Sequence, residues 1–203
     1  MPLEVWLAFC ATETLLCFTP GPAVLFVVSV AMARGARGGL AGALGILAGN
    51  TFYFALSATG IAAVILASHR LFAALKWAGA AYLVWVGLRM LLSRSRAPVE
   101  VVPQPIRRSF ARGFVVQAAN PKALVFFVAL LPQFIDPGAP VGRQVLILGA
   151  SSLLIELFVL SLYTALAARA RSLAGERWSG PIERIGGGFL VAAGARLALV
   201  RSR

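Results

Sequence analysis

Three charged side chains stand where charge is costly. Lys122 lies near the centre of an apolar run over residues 113–135, Glu156 near the centre of another over 145–168, and Glu13 inside a third over 3–33. A lysine in the middle of a membrane span costs at least about 2.5–3.5 kcal/mol on insertion scales, so Lys122 needs a partner or a wet cavity. Burial favours the neutral form of a carboxylate and a nearby ammonium favours the ionised form. Glu13 and Glu156 are therefore candidates for loading and unloading protons, as coupling a transport step to a proton gradient requires. A Lys–Glu pair that only fixes helix packing is the other reading. Asn50 follows Gly49 near the middle of the run 40–67, and Gln117 and Asn120 precede Pro121 and Lys122. Such amides bind an ammonium or a carboxylate, or bond between helices for about 0.6 kcal/mol on average.

These residues gather around two places where a helix cannot continue. Pro20-Gly21-Pro22 interrupts the first apolar run and Asn120-Pro121 the fourth. Proline lacks a backbone donor and clashes with the preceding turn, and glycine weakens a helix interior. In lipid the freed backbone groups have to be buried in protein or line a wet cavity. Past each break a new half-helix starts with Pro22 or Pro121 in its first turn, where the missing N–H costs nothing. The open amides and positive dipole end of such a start suit an anion, for example a substrate carboxylate. A proline kink satisfied by its neighbours is the alternative at either break taken alone.

The elements that must position these groups are membrane spans. Of the 203 residues 60% are hydrophobic and only 13% charged, and the mean hydropathy is +0.86. Soluble domains carry about 25% charged residues, so the chain reads as an all-α integral membrane protein. Six runs approach the roughly 20 residues a span needs: 3–33, 40–67, 71–92, 113–135, 145–168 and 182–200. The start lacks the basic n-region of a cleaved signal peptide and is read as a span. The stretch 93–112, rich in Pro and Arg, divides one membrane domain into a first three-helix repeat (1–92) and a second (113–203).

Net charge is +12, and its distribution orients the spans. Arg34, Arg37, Arg94, Arg96, Arg107, Arg108, Arg112, Arg169, Arg171 and Arg177 fall in the gaps after spans one, three and five. Only Arg70, Arg143, Arg201 and Arg203 fall on the other side. The bias places both termini outside and the 93–112 linker in the cytoplasm. The basic surplus follows loops rather than an aromatic-plus-basic module, so a nucleic-acid partner is not expected.

The two halves align. Residues 75–89 lie over 182–196 with Gly79 on Gly186, Tyr82 on Phe189, Gly87 on Gly194 and Arg89 on Arg196, and Pro20-Gly21-Pro22 lies over Asn120-Pro121-Lys122. Each half has an odd number of spans, so the copies insert upside down relative to one another. Inverted repeats broken at matching positions point to a secondary transporter's midplane site. Glycines at 38, 39, 42, 45 and 49 give span two a smooth stripe for close helix packing.

No nucleophile triad, phosphate loop or metal cluster is visible, so neither an enzyme nor an ATP-driven pump is expected, and no cofactor or metal. Cys10 and Cys17 are about 10 Å apart along a helix and are read as free thiols.

Several motifs together resemble the lysine exporter (LysE/RhtB) family of bacterial amino-acid efflux proteins. They are Pro20-Gly21-Pro22; Gly35 with Gly39 through Gly45-Ile46 to Gly49; Gly79-Ala80-Ala81-Tyr82-Leu83 with Gly87; and Gly113-Phe114, Asn120-Pro121-Lys122-Ala123 and Leu131-Pro132-Gln133-Phe134. The resemblance implies a six-span inner-membrane exporter of amino acids or close derivatives, driven by proton antiport. The family pattern often has Asp after Gly49, where this chain has Asn50, so either Glu13 or Glu156 takes over that acid's work or the substrate is an amino acid other than lysine. The expected device is alternating access about the two breaks. Pro20, Gly21, Pro22, Asn50, Asn120, Pro121 and Lys122 would form the substrate site, in a lipid-embedded chain that could form a homo-oligomer. A gated channel or release pore without proton coupling is the rival.

Overall fold

The computed structural model describes residues 1–58, residues 105–174, and isolated helical positions at Trp77, Ala81, Val84, Trp85, Leu88, Leu91, Gly188, Val191, Ala192 and Ala195. Spans three and six, the alignment of 75–89 on 182–196, the outer end of span two and linker residues 93–104 lie wholly or largely outside the described residues.

Helix α1 runs Leu3–Phe18 and stops at Thr19, whose backbone is extended (φ −74°, ψ 114°). Pro20 and Gly21 follow, and α2 begins at Pro22 and ends at Ala58. The first predicted break is thus present in the backbone. The gap between the runs 3–33 and 40–67 predicts a loop from Arg34 onward. Instead the junction is one residue: Gly35 (φ 74°, ψ −175°) turns the chain inside α2. A positive φ with extended ψ is open essentially to glycine alone, so one Gly does the work of a loop.

Helix α3, Ile106–Ala118, starts at Pro105, so the last part of the 93–112 basic stretch is helical and carries Arg107, Arg108 and Arg112. The second predicted break follows at Ala119 and Asn120. Then come a short helix α4, Pro121–Val125, a π turn, Phe126–Leu130, and a 3-10 turn, Leu131–Phe134. Span four is therefore not a regular helix beyond its break. A π turn widens the backbone spiral and occurs frequently at functional sites. Helix α5, Val141–Ala174, extends beyond the expected 145–168 at both ends.

Helix α2 makes its most extensive contacts with α3 and α5, and α1 lies against α5. The α2–α3 contact is set by missing side chains. A Cβ on Gly45 would lie 2.0 Å from the Phe110 carbonyl oxygen, and one on Gly113 would lie 2.1 Å from that of Gly42. Small residues let membrane helices approach to backbone contact. One apolar cluster joins Phe9, Phe54, Phe126, Phe127, Leu131 and Leu148, with Phe9 edge-on to Phe134 at 5.3 Å and Phe54 edge-on to Phe127 at 4.8 Å. A second joins Val24, Phe26, Val27, Ile46, Val116 and Leu160.

The solvent logic is inverted. On α5 the positions Leu154, Phe158, Leu162 and Leu166, each four residues apart, are exposed, whereas Ser152, Glu156 and Thr164 are buried. Residues four apart share a helix face. An apolar outer face around a polar interior is the arrangement a bilayer demands.

Candidate functional site

Both breaks open on one cavity of about 60 Å³. Of the residues singled out by type and spacing, Glu13, Gly21, Asn50, Asn120, Lys122 and Glu156 all line it. Pro20 is exposed and Pro22 is buried at the start of α2; they shape the break without lining the cavity. Pro121 holds the first turn of α4. An apolar wall of Leu16, Val24, Phe126, Phe127 and Val159 faces the polar groups.

The carbonyl end of α1 is capped from two other elements. Lys122 Nζ donates to the carbonyl oxygens of Leu16 and, at 2.9 Å, Thr19. The Tyr163 hydroxyl donates to the Phe18 carbonyl at 3.0 Å. The last carbonyls of a helix have no internal partner and carry its negative dipole end, which attracts a cation. Glu13 and Glu156 both lie within electrostatic reach of the Lys122 ammonium. The aliphatic stem of Lys122 passes Gly21, where a Cβ would touch its Cδ at 3.5 Å.

At the second break Asn120 caps α4, its Oδ1 accepting from the Lys122 backbone N–H at 3.0 Å. Asn120 Nδ2 donates to Gln117 Oε1 at 3.0 Å, and Gln117 Nε2 donates to Asn50 Oδ1 at 2.5 Å. Asn50 Nδ2 donates to Glu156 Oε2. All four side chains are more than nine-tenths buried. The Tyr53 hydroxyl closes the end of α3 by donating to the Ala118 carbonyl at 2.6 Å. Across the cavity, Glu13 Oε1 accepts from Ser152 Oγ at 2.6 Å and from Cys17 Sγ at 3.7 Å.

Three participants are not placed in the site by sequence alone. Gln117 reads only as an amide beside the break, and its polarity in an apolar run is the available signal. Ser152 stands four residues before Glu156, one turn along the same face, a spacing that could have found it. Cys17, four residues after Glu13, reads as a free thiol, and it is free.

Chemically, the arrangement offers a helix start at Gly21–Val24 whose first amides have no intrahelical acceptor. It adds one ammonium, two carboxylates and a row of oriented amides, enclosed by aromatic and aliphatic side chains. This suits a small zwitterion and the movement of a proton between acids.

The sequence pattern of the LysE type translocator family matches residues 14–201. The chain is 33% identical to the homoserine/homoserine lactone efflux protein of Salmonella typhimurium over 204 residues, 99% of each protein. It is 36% identical over 173 residues, 83% of each, to an uncharacterized membrane protein of Vibrio cholerae. It is 36% identical to the leucine efflux protein of Salmonella choleraesuis over 125 residues, 60% of this chain and 58% of the relative. No solved structure matches the chain.

Proposed function

This chain belongs to the LysE type translocator family, and from that premise we propose that it exports amino acids or close derivatives with uncharged side chains across the bacterial inner membrane. It is a membrane transporter and not an enzyme. The observation that carries the substrate reading is the cavity shared by both helix breaks, with Lys122, Glu13 and Glu156 around it. In this account the substrate carboxylate meets the open amides at the start of α2 and the Lys122 ammonium. Its own ammonium meets Glu13 or Glu156, and its side chain packs on Phe126, Phe127 and Val159. The Lys122 ammonium on the cavity wall repels a second positive charge carried on the substrate's side chain. The relatives named for homoserine and leucine efflux support a substrate with an uncharged side chain.

Coupling, in the same proposal, is proton antiport, with Glu13 and Glu156 exchanging the proton. The six spans form two inverted three-helix repeats, termini outside and the 93–112 linker cytoplasmic, and the paired breaks at Gly21 and Asn120 are the hinge of alternating access. The paired breaks and the arginine bias support this. The cavity is smaller than the roughly 300 Å³ of typical small-molecule pockets, so admitting a substrate requires α1 and α4 to part from α5.

Inverted membrane vesicles energised by respiration test the proposal. Labelled homoserine and leucine are expected to accumulate in vesicles containing the protein, and unlabelled lysine is expected to compete poorly. Accumulation that survives a protonophore would replace the antiporter with another coupling. Mere equilibration would favour a channel.

A further inference from the structure

The amide chain has a direction, and that direction is forced. A backbone N–H can only donate, so Asn120 must turn its Oδ1 to Lys122 N. Its Nδ2 is then left for Gln117 Oε1, Gln117 Nε2 for Asn50 Oδ1, and Asn50 Nδ2 for Glu156 Oε2. No amide can flip without setting two donors or two acceptors against each other in a buried site. The chain therefore ends on a carboxylate oxygen that must accept. Glu156 Oε1 takes no hydrogen bond among the described residues and belongs to a residue that lines the cavity. Gln117 is the middle link, and its room is provided by Gly49, where a Cβ would lie 2.9 Å from the Gln117 Cβ.

We propose that Gln117 is a positioning residue for transport: it joins the cap of the second break to Asn50 and so holds Glu156 with Oε2 as acceptor and Oε1 toward the cavity. A proton taken up by Glu156 then sits on Oε1, the oxygen a substrate ammonium or a water reaches. This rests on the export reading above. The helices around the chain also contribute Glu13 and Cys17 from α1, Tyr53 from α2 and Lys122 from α4 as titratable groups.

Exchanging donor and acceptor tests it. In Gln117→Glu an ionised carboxylate faces Asn50 Oδ1, and turning Asn50 over sets its oxygen against Glu156. Adding Glu156→Gln repairs the clash, because the amide nitrogen it introduces donates to the turned Asn50. At alkaline pH the purified Gln117→Glu protein is expected to melt at least about 2–4 °C below wild type. The Gln117→Glu/Glu156→Gln protein is expected to regain more than half of that loss, a coupling that independent sites do not show. Gln117→Glu is expected to recover on acidification, when its O–H donates to Asn50. Gln117→Met, which fills the space without bonding, is expected to show no such recovery and to lower the export kcat by roughly ten- to a hundredfold with little change in KM. A double variant no more stable than Gln117→Glu, a Gln117→Glu protein as stable as wild type at every pH, or unaltered kcat in Gln117→Met would overturn the proposal. Failure of wild type to export any amino acid sinks the functional reading instead and leaves the stability cycle intact.

Discussion

Ser152 Oγ donates to Glu13 Oε1 across 2.6 Å, tying the C-terminal half of α1 to the N-terminal half of α5 at a carboxylate that lines the cavity. The same oxygen accepts from Cys17, so one carboxylate oxygen serves two helices' donors. Glutamine in place of Glu13 keeps an oxygen acceptor and loses the exchangeable proton. Glu13→Gln is expected to insert and melt like wild type while losing protonophore-sensitive accumulation in inverted vesicles. Undiminished accumulation would remove Glu13 from the coupling machinery.

Lys122 connects the two breaks, its ammonium on carbonyls of α1 and its backbone N–H on Asn120. Lys122→Met keeps the length and deletes the charged donor. Hydrogen bonds to charged groups contribute about 1.5–3 kcal/mol, so the melting temperature should fall and export should be lost. A stable, fully active Lys122→Met protein would show that neither the cap nor the charge is needed.

Gly45 faces backbone rather than a flexible side chain, so an added methyl cannot be accommodated by a rotamer change. Gly45→Ala should force α2 and α3 apart and destabilise by about 1–3 kcal/mol, the usual cost of overpacking. Thermal melts in detergent measure it, and Gly142→Ala, with nothing within 4 Å of its Cβ, is the control expected to behave like wild type.

Cys17 lines the cavity and Cys10 does not. In a Cys10→Ser background a small thiol reagent should block export by reacting at Cys17, slowly because the half-buried thiol donates to Glu13 rather than standing as a thiolate, and saturating homoserine should slow the reaction further. Labelling at the same rate with and without homoserine, followed by mass spectrometry of the labelled peptide, would place the substrate elsewhere.

Much of this site is legible in the sequence because lipid makes polarity expensive. Glu13, Asn50, Lys122 and Glu156 announce themselves as polar groups in apolar runs, and Pro20, Pro22 and Pro121 forbid an unbroken helix whatever surrounds them. Partner choice is not legible. Charge alone pairs Lys122 with a glutamate, whereas the structure gives its hydrogen bonds to the end of α1, because a helix that stops early leaves carbonyls in need of donors. Gln117 meets Asn50 only because Gly45 and Gly113 let α3 descend onto α2 in one register, a long-range fit no local pattern encodes. The one-residue turn at Gly35 is hidden by the small and basic residues around it, which read equally well as a loop.

The most direct test of export through this cavity uses purified protein in liposomes with an imposed pH gradient, acidic inside. The account predicts uptake of labelled homoserine against its gradient, approaching about tenfold per pH unit for one-for-one exchange. It predicts collapse of that uptake by a protonophore and its loss in the Glu13→Gln/Glu156→Gln double variant. Uptake that stops at equal concentrations on both sides, or that the double variant retains, would contradict it.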